Sequence, residues 1–254
     1  MQFKKYGKTP DELKNGSDDK NNETEEPAVK TRKRKKRADL PMEILAFPNT
    51  DKDFHEQWYP ERDLLSFPHP FRAVLLGPPN SGKSTIVKNL LLRGDPDFAK
   101  MYVIHADADG TSEYDDCKAV LLPEIPEPQD WPNDKEKKLV VVDDIDVKRL
   151  GKQQMSALDR LFGYVSTHKN ISCILCSQDV FNIPAGVRRC ANLWVLWKSP
   201  DTHAVSMCAS RCGKLDFDNL FNKNCQNPHD SVWVDMTDNT PLKIRANGYQ
   251  EALQ

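Results

Sequence analysis

No stretch of this chain is apolar for long enough to cross a membrane. Its start, Met1-Gln2-Phe3-Lys4-Lys5, lacks the apolar core of a secretory signal. Charge of one sign is missing as well. Thirty-six Lys and Arg face 38 Asp and Glu, a net charge of −2, so the molecule as a whole is not an electrostatic glove for nucleic acid. The seven cysteines are an odd number and several sit in apolar runs. Reduced thiols in an intracellular setting are expected, not a disulfide framework. No internal repeat is visible, and the scattered histidines define no Ser/His/Asp nucleophile arrangement.

Against those absences stand two acidic and glycine-rich signatures. Residues 77–85 read Gly77-Pro78-Pro79-Asn80-Ser81-Gly82-Lys83-Ser84-Thr85, a G-x-x-x-x-G-K-[ST] phosphate loop. An apolar run, Phe71 to Leu76, precedes it, and a helix is predicted from near Lys83 through Leu92. Strand, glycine loop and helix are the context that the motif needs. Backbone N–H groups and the helix N-terminus then converge on phosphate. Lys83 would reach the β- and γ-phosphates of ATP, and the Ser84 hydroxyl would ligate Mg²⁺. The second signature is Leu139-Val140-Val141-Val142 running into Asp143-Asp144. Asp143 would hold the magnesium, directly or through water. Asp144 is the candidate general base for the attacking water, or else a cap of the next segment; Asp146 follows closely.

Residues 1–40 are charged and poor in large apolar side chains, the composition of a disordered head. They contain Lys30-Thr31-Arg32-Lys33-Arg34-Lys35-Lys36-Arg37, which suits a nuclear-localisation signal, a DNA-contacting arm or a solvated tail, with an acidic stretch just before it. Residues 41–64 are expected to pack on the core as a lead-in, and 65–254 to form the catalytic domain. From residue 71 apolar runs alternate with helical stretches, predicting an α/β fold. Strands are expected at 100–105, 139–142, 171–177, 193–197 and 231–236, and an amphipathic helix at 153–168. Two further helical segments are expected at about 203–211 and 216–223, and 106–138 is expected to be a long surface excursion.

Ser177-Gln178 falls 35 positions after Asp143 with one helix between, which puts Gln178 on a neighbouring strand end near the γ-phosphate. A glutamine there can orient the attacking water. Next comes Asn182-Ile183-Pro184-Ala185-Gly186-Val187-Arg188-Arg189-Cys190-Ala191-Asn192, then a strand carrying Trp194 and Trp197. With these residues the chain resembles the FtsK–HerA superfamily, and within it the poxvirus-type genome-packaging ATPases. The resemblance covers roughly residues 65–245 and includes the closing strand Ser231-Val232-Trp233-Val234-Asp235.

That resemblance implies a RecA-like P-loop domain with a mostly parallel sheet. It implies an ATPase that drives double-stranded DNA into a preformed capsid, working as a ring of identical subunits, a hexamer or pentamer. Capsid proteins are then partners, no membrane is involved, and the site of action is the host nucleus or the viral assembly site, with association to the virion. Arg188 or Arg189 matches the arginine that reaches a neighbour's nucleotide. No nuclease domain is visible after the last strand, so translocation without end-cutting is expected. The enzymatic rival is a replicative helicase of the superfamily-three type, although those helicases carry Asn at the sensor position and space the two phosphate motifs more closely than the 60 positions here. A non-hydrolysing scaffold is the remaining alternative, opposed by Lys83, Ser84, Asp143 and Asp144 together. Finally, Cys208, Cys212, Cys225 and His229 have zinc-like spacing, weighed against buried free thiols.

Overall fold

The computed structural model describes residues 69–93, 98–199, 202–238, 243–248 and 250–253. The charged head at 1–40 and the lead-in at 41–64 lie outside the described residues. β1 (Arg72–Leu76) leads through the phosphate loop into α1 (Lys83–Arg93). β2 (Lys100–His105), β3 (Val120–Leu122) and β4 (Lys138–Asp143) follow. Next comes α2 (Lys152–Arg160), which continues through a π-helical stretch, Leu161–Val165, into a last turn, Ser166–His168. β5 (Ile171–Ser177), α3 (Ala185–Cys190) and β6 (Leu193–Trp197) complete the parallel part. α4 (His203–Cys212), α5 (Phe217–Asn224), β7 (Ser231–Asp235), β8 (Ile244–Ala246) and β9 (Gln250–Glu251) close the fold.

The nine strands among the described residues join one sheet in the order β3-β2-β4-β5-β1-β6-β7-β8-β9. The run from β3 to β6 is parallel, and β7, β8 and β9 extend it antiparallel. β4 and β5 are buried along their whole length, as strands covered on both faces must be. Their alternation splits the core in two. Val140, Val142, Cys173 and Leu175 pack with Leu158, Leu161, Phe162 and Val165 of the α2 helix. Leu139, Val141, Ile174 and Cys176 pack on the other face with Val87, Leu90 and Leu91 of α1. Cys173 and Cys176 therefore lie on opposite faces, as their spacing requires.

The segment 106–138 is not simply a surface excursion. It contains β3, paired in parallel with β2, and buries Tyr114, Cys117, Ile125 and Trp131. Its anchors are single large side chains at irregular spacing, such as Trp131 set edge-on to Tyr102 at 5.4 Å, so no period reveals them. The expected helix at 153–168 forms with the π-helical stretch inside it, and Met155 is only half-buried. β8 and β9 are too short to carry a strand signal.

Candidate nucleotide-binding site

Every strand of the parallel run ends toward the same edge of the sheet, where open α/β sheets bind ligands. β1 and β4 are separated there by β5. The loop after β1 curls back on itself. Lys83 Nζ donates to the carbonyls of Gly77 and Pro78, both at 2.8 Å, and Ser81 N–H donates to Pro78 O at 3.3 Å. Gly77 packs so tightly that a Cβ would stand 2.7 Å from Ser81 Oγ and 2.9 Å from Trp197 Cβ. Gly82 has φ +105°, a backbone conformation that L side chains rarely adopt. Burial lowers the pKa of the Lys83 ammonium, opposed by Cys176, Asp143 and Asp144.

The two adjacent aspartates occupy contrasting surroundings. Asp143 is 5% exposed. Ser84 Oγ donates to its Oδ2 at 3.4 Å, the buried Tyr114 hydroxyl donates to the same oxygen, and Asp144 N–H donates to Oδ1 at 3.1 Å. The Cys176 thiol also bonds Asp143; burial first, and then the Asp143 charge, push that thiol's pKa well up. Burial and Asp143 likewise raise the Tyr114 phenol, so it remains a donor. Asp144 instead turns out of the strand at φ 52° with its side chain 74% exposed. Its neighbour is His105, the buried last residue of β2. The Asp107 N–H donates to His105 Nδ1 at 3.1 Å, which leaves the ring proton of the neutral form on Nε2, 3.9 Å from Asp144 Oδ2.

A cavity of about 340 Å³ is lined by Lys83, Asp143, Asp144, Cys176, Gln178 and Asn182, among others. Gln178 follows β5 directly and is exposed. A second cavity, of about 590 Å³, runs along Asn80 to Ile86 on the loop and is closed by Glu113, Trp197 and His229. Lys83 borders both. Two buried polar atoms here, Ser81 Oγ and Asn182 Oδ1, have no hydrogen-bond partner among the described residues.

Arg188 and Arg189 stand on α3 and are not among the residues lining either cavity. Gly186 of that helix sits against Asp159 of α2. The zinc spacing does not become a metal site: among the described residues no group of three His, Cys, Asp or Glu side chains could hold a metal ion. Cys208 and Cys225 are core residues, and burial raises both thiols, Cys225 to about 12. His229 lies instead by the phosphate loop, its Nδ1 3.4 Å from Ser81 O.

Tyr114, His105 and Asn182 escaped the sequence reading. Tyr114 lies within, and His105 borders, a segment read as surface. Asn182 had one available signal, its place four residues after Gln178.

No protein-family model and no curated protein matches the chain. Among solved structures, it is similar to B204, the DNA-packaging ATPase from Sulfolobus Turreted Icosahedral Virus. The two are 14% identical over 72% of this chain and 97% of that one, with a TM-score of 0.47. B204 of Sulfolobus turreted icosahedral virus 2 in complex with AMP is 15% identical, over 72% and 99%, with a TM-score of 0.49. The pCW3 conjugation coupling protein TcpA is 14% identical, over 66% and 58%, with a TM-score of 0.45. Among the described residues no helix is long and apolar enough to cross a membrane.

Proposed function

We propose that this chain is an ATP-hydrolysing motor of the FtsK–HerA type that moves double-stranded DNA into a viral capsid. The observation that carries the hydrolysis is the meeting of Lys83, Asp143, Asp144 and Gln178 around one cavity. Lys83 supplies the cation for the β- and γ-phosphates, and the loop N–H groups wrap the triphosphate. Ser84 and Asp143 would hold Mg²⁺, which when bound neutralises charge on the phosphate oxygens. Their oxygens stand 3.4 Å apart beside the loop, and a cation bound by one or two protein oxygens plus phosphate suits that sparse donor set. Asp143 is too fully bonded to serve as a base. Asp144, exposed and bonded by no donor nearer than His105, takes the proton of the attacking water, and Gln178 orients that water.

Movement of DNA, the ring, the capsid partner and action at a nuclear or viral assembly site rest on the resemblance of the segment 178–192. In the ring, Arg188 or Arg189 neutralises charge at a neighbour's site. The basic run at 30–37 adds DNA affinity that weakens steeply with salt. The test is a pair of variants. Asp144→Asn should bind a fluorescent ATP analogue as the parent does and lose hydrolysis. Gln178→Ala should bind it equally and lose the stimulation of turnover by duplex DNA. Parental hydrolysis by Asp144→Asn would overturn the assignment of the base.

A further inference from the structure

We propose that Arg211 is a positioning residue for the arginines that act on the neighbouring subunit. The inference rests on the reading of Arg188 and Arg189 as trans-acting, and it concerns what holds them in place. α3 is one and a half turns long and leaves its last carbonyls without helical partners. Arg211, near the end of α4, reaches across to them. Its Nη1 donates to the carbonyl of Arg188, and its Nη2 to those of Arg189 at 3.3 Å and Ala191 at 3.0 Å. The same guanidinium lies 5.6 Å from the ring centroid of Trp194, which is fully buried in β6.

One planar cation thus joins both arginine-bearing residues of α3 to the sheet. A guanidinium has the forked donors for several carbonyls and a flat face for the indole; a lysine has neither. At the other end of α3, Gly186 stands against the exposed carboxylate of Asp159 in α2. Arg211 thereby holds the backbone from which the Arg188 and Arg189 side chains leave the subunit. Arg211 touches neither cavity of its own subunit. Its loss should therefore be felt next door.

The test uses full-length chains mixed before ring assembly. Arg211→Ala alone should bind a fluorescent ATP analogue normally and lose about 100-fold in DNA-stimulated turnover, the scale of a misplaced catalytic group. Arg211→Gln, which is shorter and uncharged but keeps one amide donor group, serves if the alanine variant does not fold. Mixed equally with Asp144→Asn chains, the Arg211 variant should regain activity. In a closed ring about one interface in four then pairs an intact Asp144 with a neighbour whose arginines are held. Mixed with the Arg188→Ala/Arg189→Ala chain it should regain none, since both lack the same contribution. Recovery in that last mixture would overturn the proposal. So would failure with Asp144→Asn while the double arginine variant recovers with it. If neither recovers, the trans reading itself fails and the role of Arg211 falls with it.

Discussion

At the N-terminal ends of β1, β4 and β5, most buried polar side chains bond one another or the backbone, Arg72 Nε being an exception. His69, 1% exposed, donates from Nε2 to Asn170 Oδ1 and accepts at Nδ1 from Ser172 Oγ, both at 2.8 Å. Asn170 Nδ2 donates to Lys135 O at 2.8 Å. Lys138, with no exposed surface, donates to the carbonyls of Glu136 at 2.9 Å and Lys169 at 3.0 Å and pairs with Asp134. At the C-terminal ends of the same strands, Ser81 Oγ and Asn182 Oδ1 are buried without partners among the described residues, Asp144 is held only loosely, and Lys83 bonds its own loop. One end uses its polar groups to hold the sheet together. The other leaves hydrogen-bonding capacity for a ligand. Stability and chemistry are thus assigned to opposite edges, and mutations at the two edges should separate them.

The largest effect should come from Lys83→Ala. Turnover of ATP should fall about 10³-fold through loss of the preorganised cation. The denaturant midpoint should move little, because Nζ bonds only two carbonyls of a surface loop. At the opposite edge, Lys138→Met should do the reverse. Leaving two buried carbonyls without their donor, while Asp134 keeps Lys100 at 2.8 Å, should cost about 2 kcal/mol in denaturant unfolding, with nucleotide affinity unchanged in the folded fraction.

His69 sharpens the contrast through pH. Burial, the largest cause, lowers its pKa from 6.5 to about 4. The unfolded chain therefore takes up a proton before the folded one does. Stability on this account is complete above pH 6.5 and declines as pH falls toward 4, by about 3 kcal/mol in total. Denaturant titrations across that window should show the slope in the parent. His69→Gln should begin less stable and lack that component.

The smallest effect is that of Asn182→Ala. Turnover should drop about tenfold, equivalent to 1.4 kcal/mol at the transition state. Stability should hold or rise slightly, since the substitution removes a buried acceptor that has no partner among the described residues. A marked loss of stability would place Asn182 with the structural edge instead.

The parts legible in the sequence are those with local causes. Gly77 to Thr85 declares itself because a phosphate loop needs glycines, a lysine and a hydroxyl at fixed spacing. The valine run into Asp143 declares itself because a strand buried on both faces is continuously apolar. The split of Cys173 from Cys176 follows from the two-residue period. What escaped is held by contacts between distant segments. Tyr114 reaches Asp143 across 29 residues of chain, and Arg211 reaches Arg188 across 23. The His69 network joins residues about a hundred positions apart. The interval between Cys208 and Cys212 is one turn of α4, with Cys208 in the core, in keeping with the expected free thiols.

This carboxylate edge is expected to turn over ATP in response to an intact double helix. The direct measurement is the steady-state ATP hydrolysis rate of the full chain without DNA, with blunt duplex and with single strands, alongside a forked substrate to register strand separation. Duplex should be the stronger activator, Asp144→Asn should abolish the response, and the fork should stay paired. Strand separation with single strands as the better activator, or turnover indifferent to any DNA, would contradict the account.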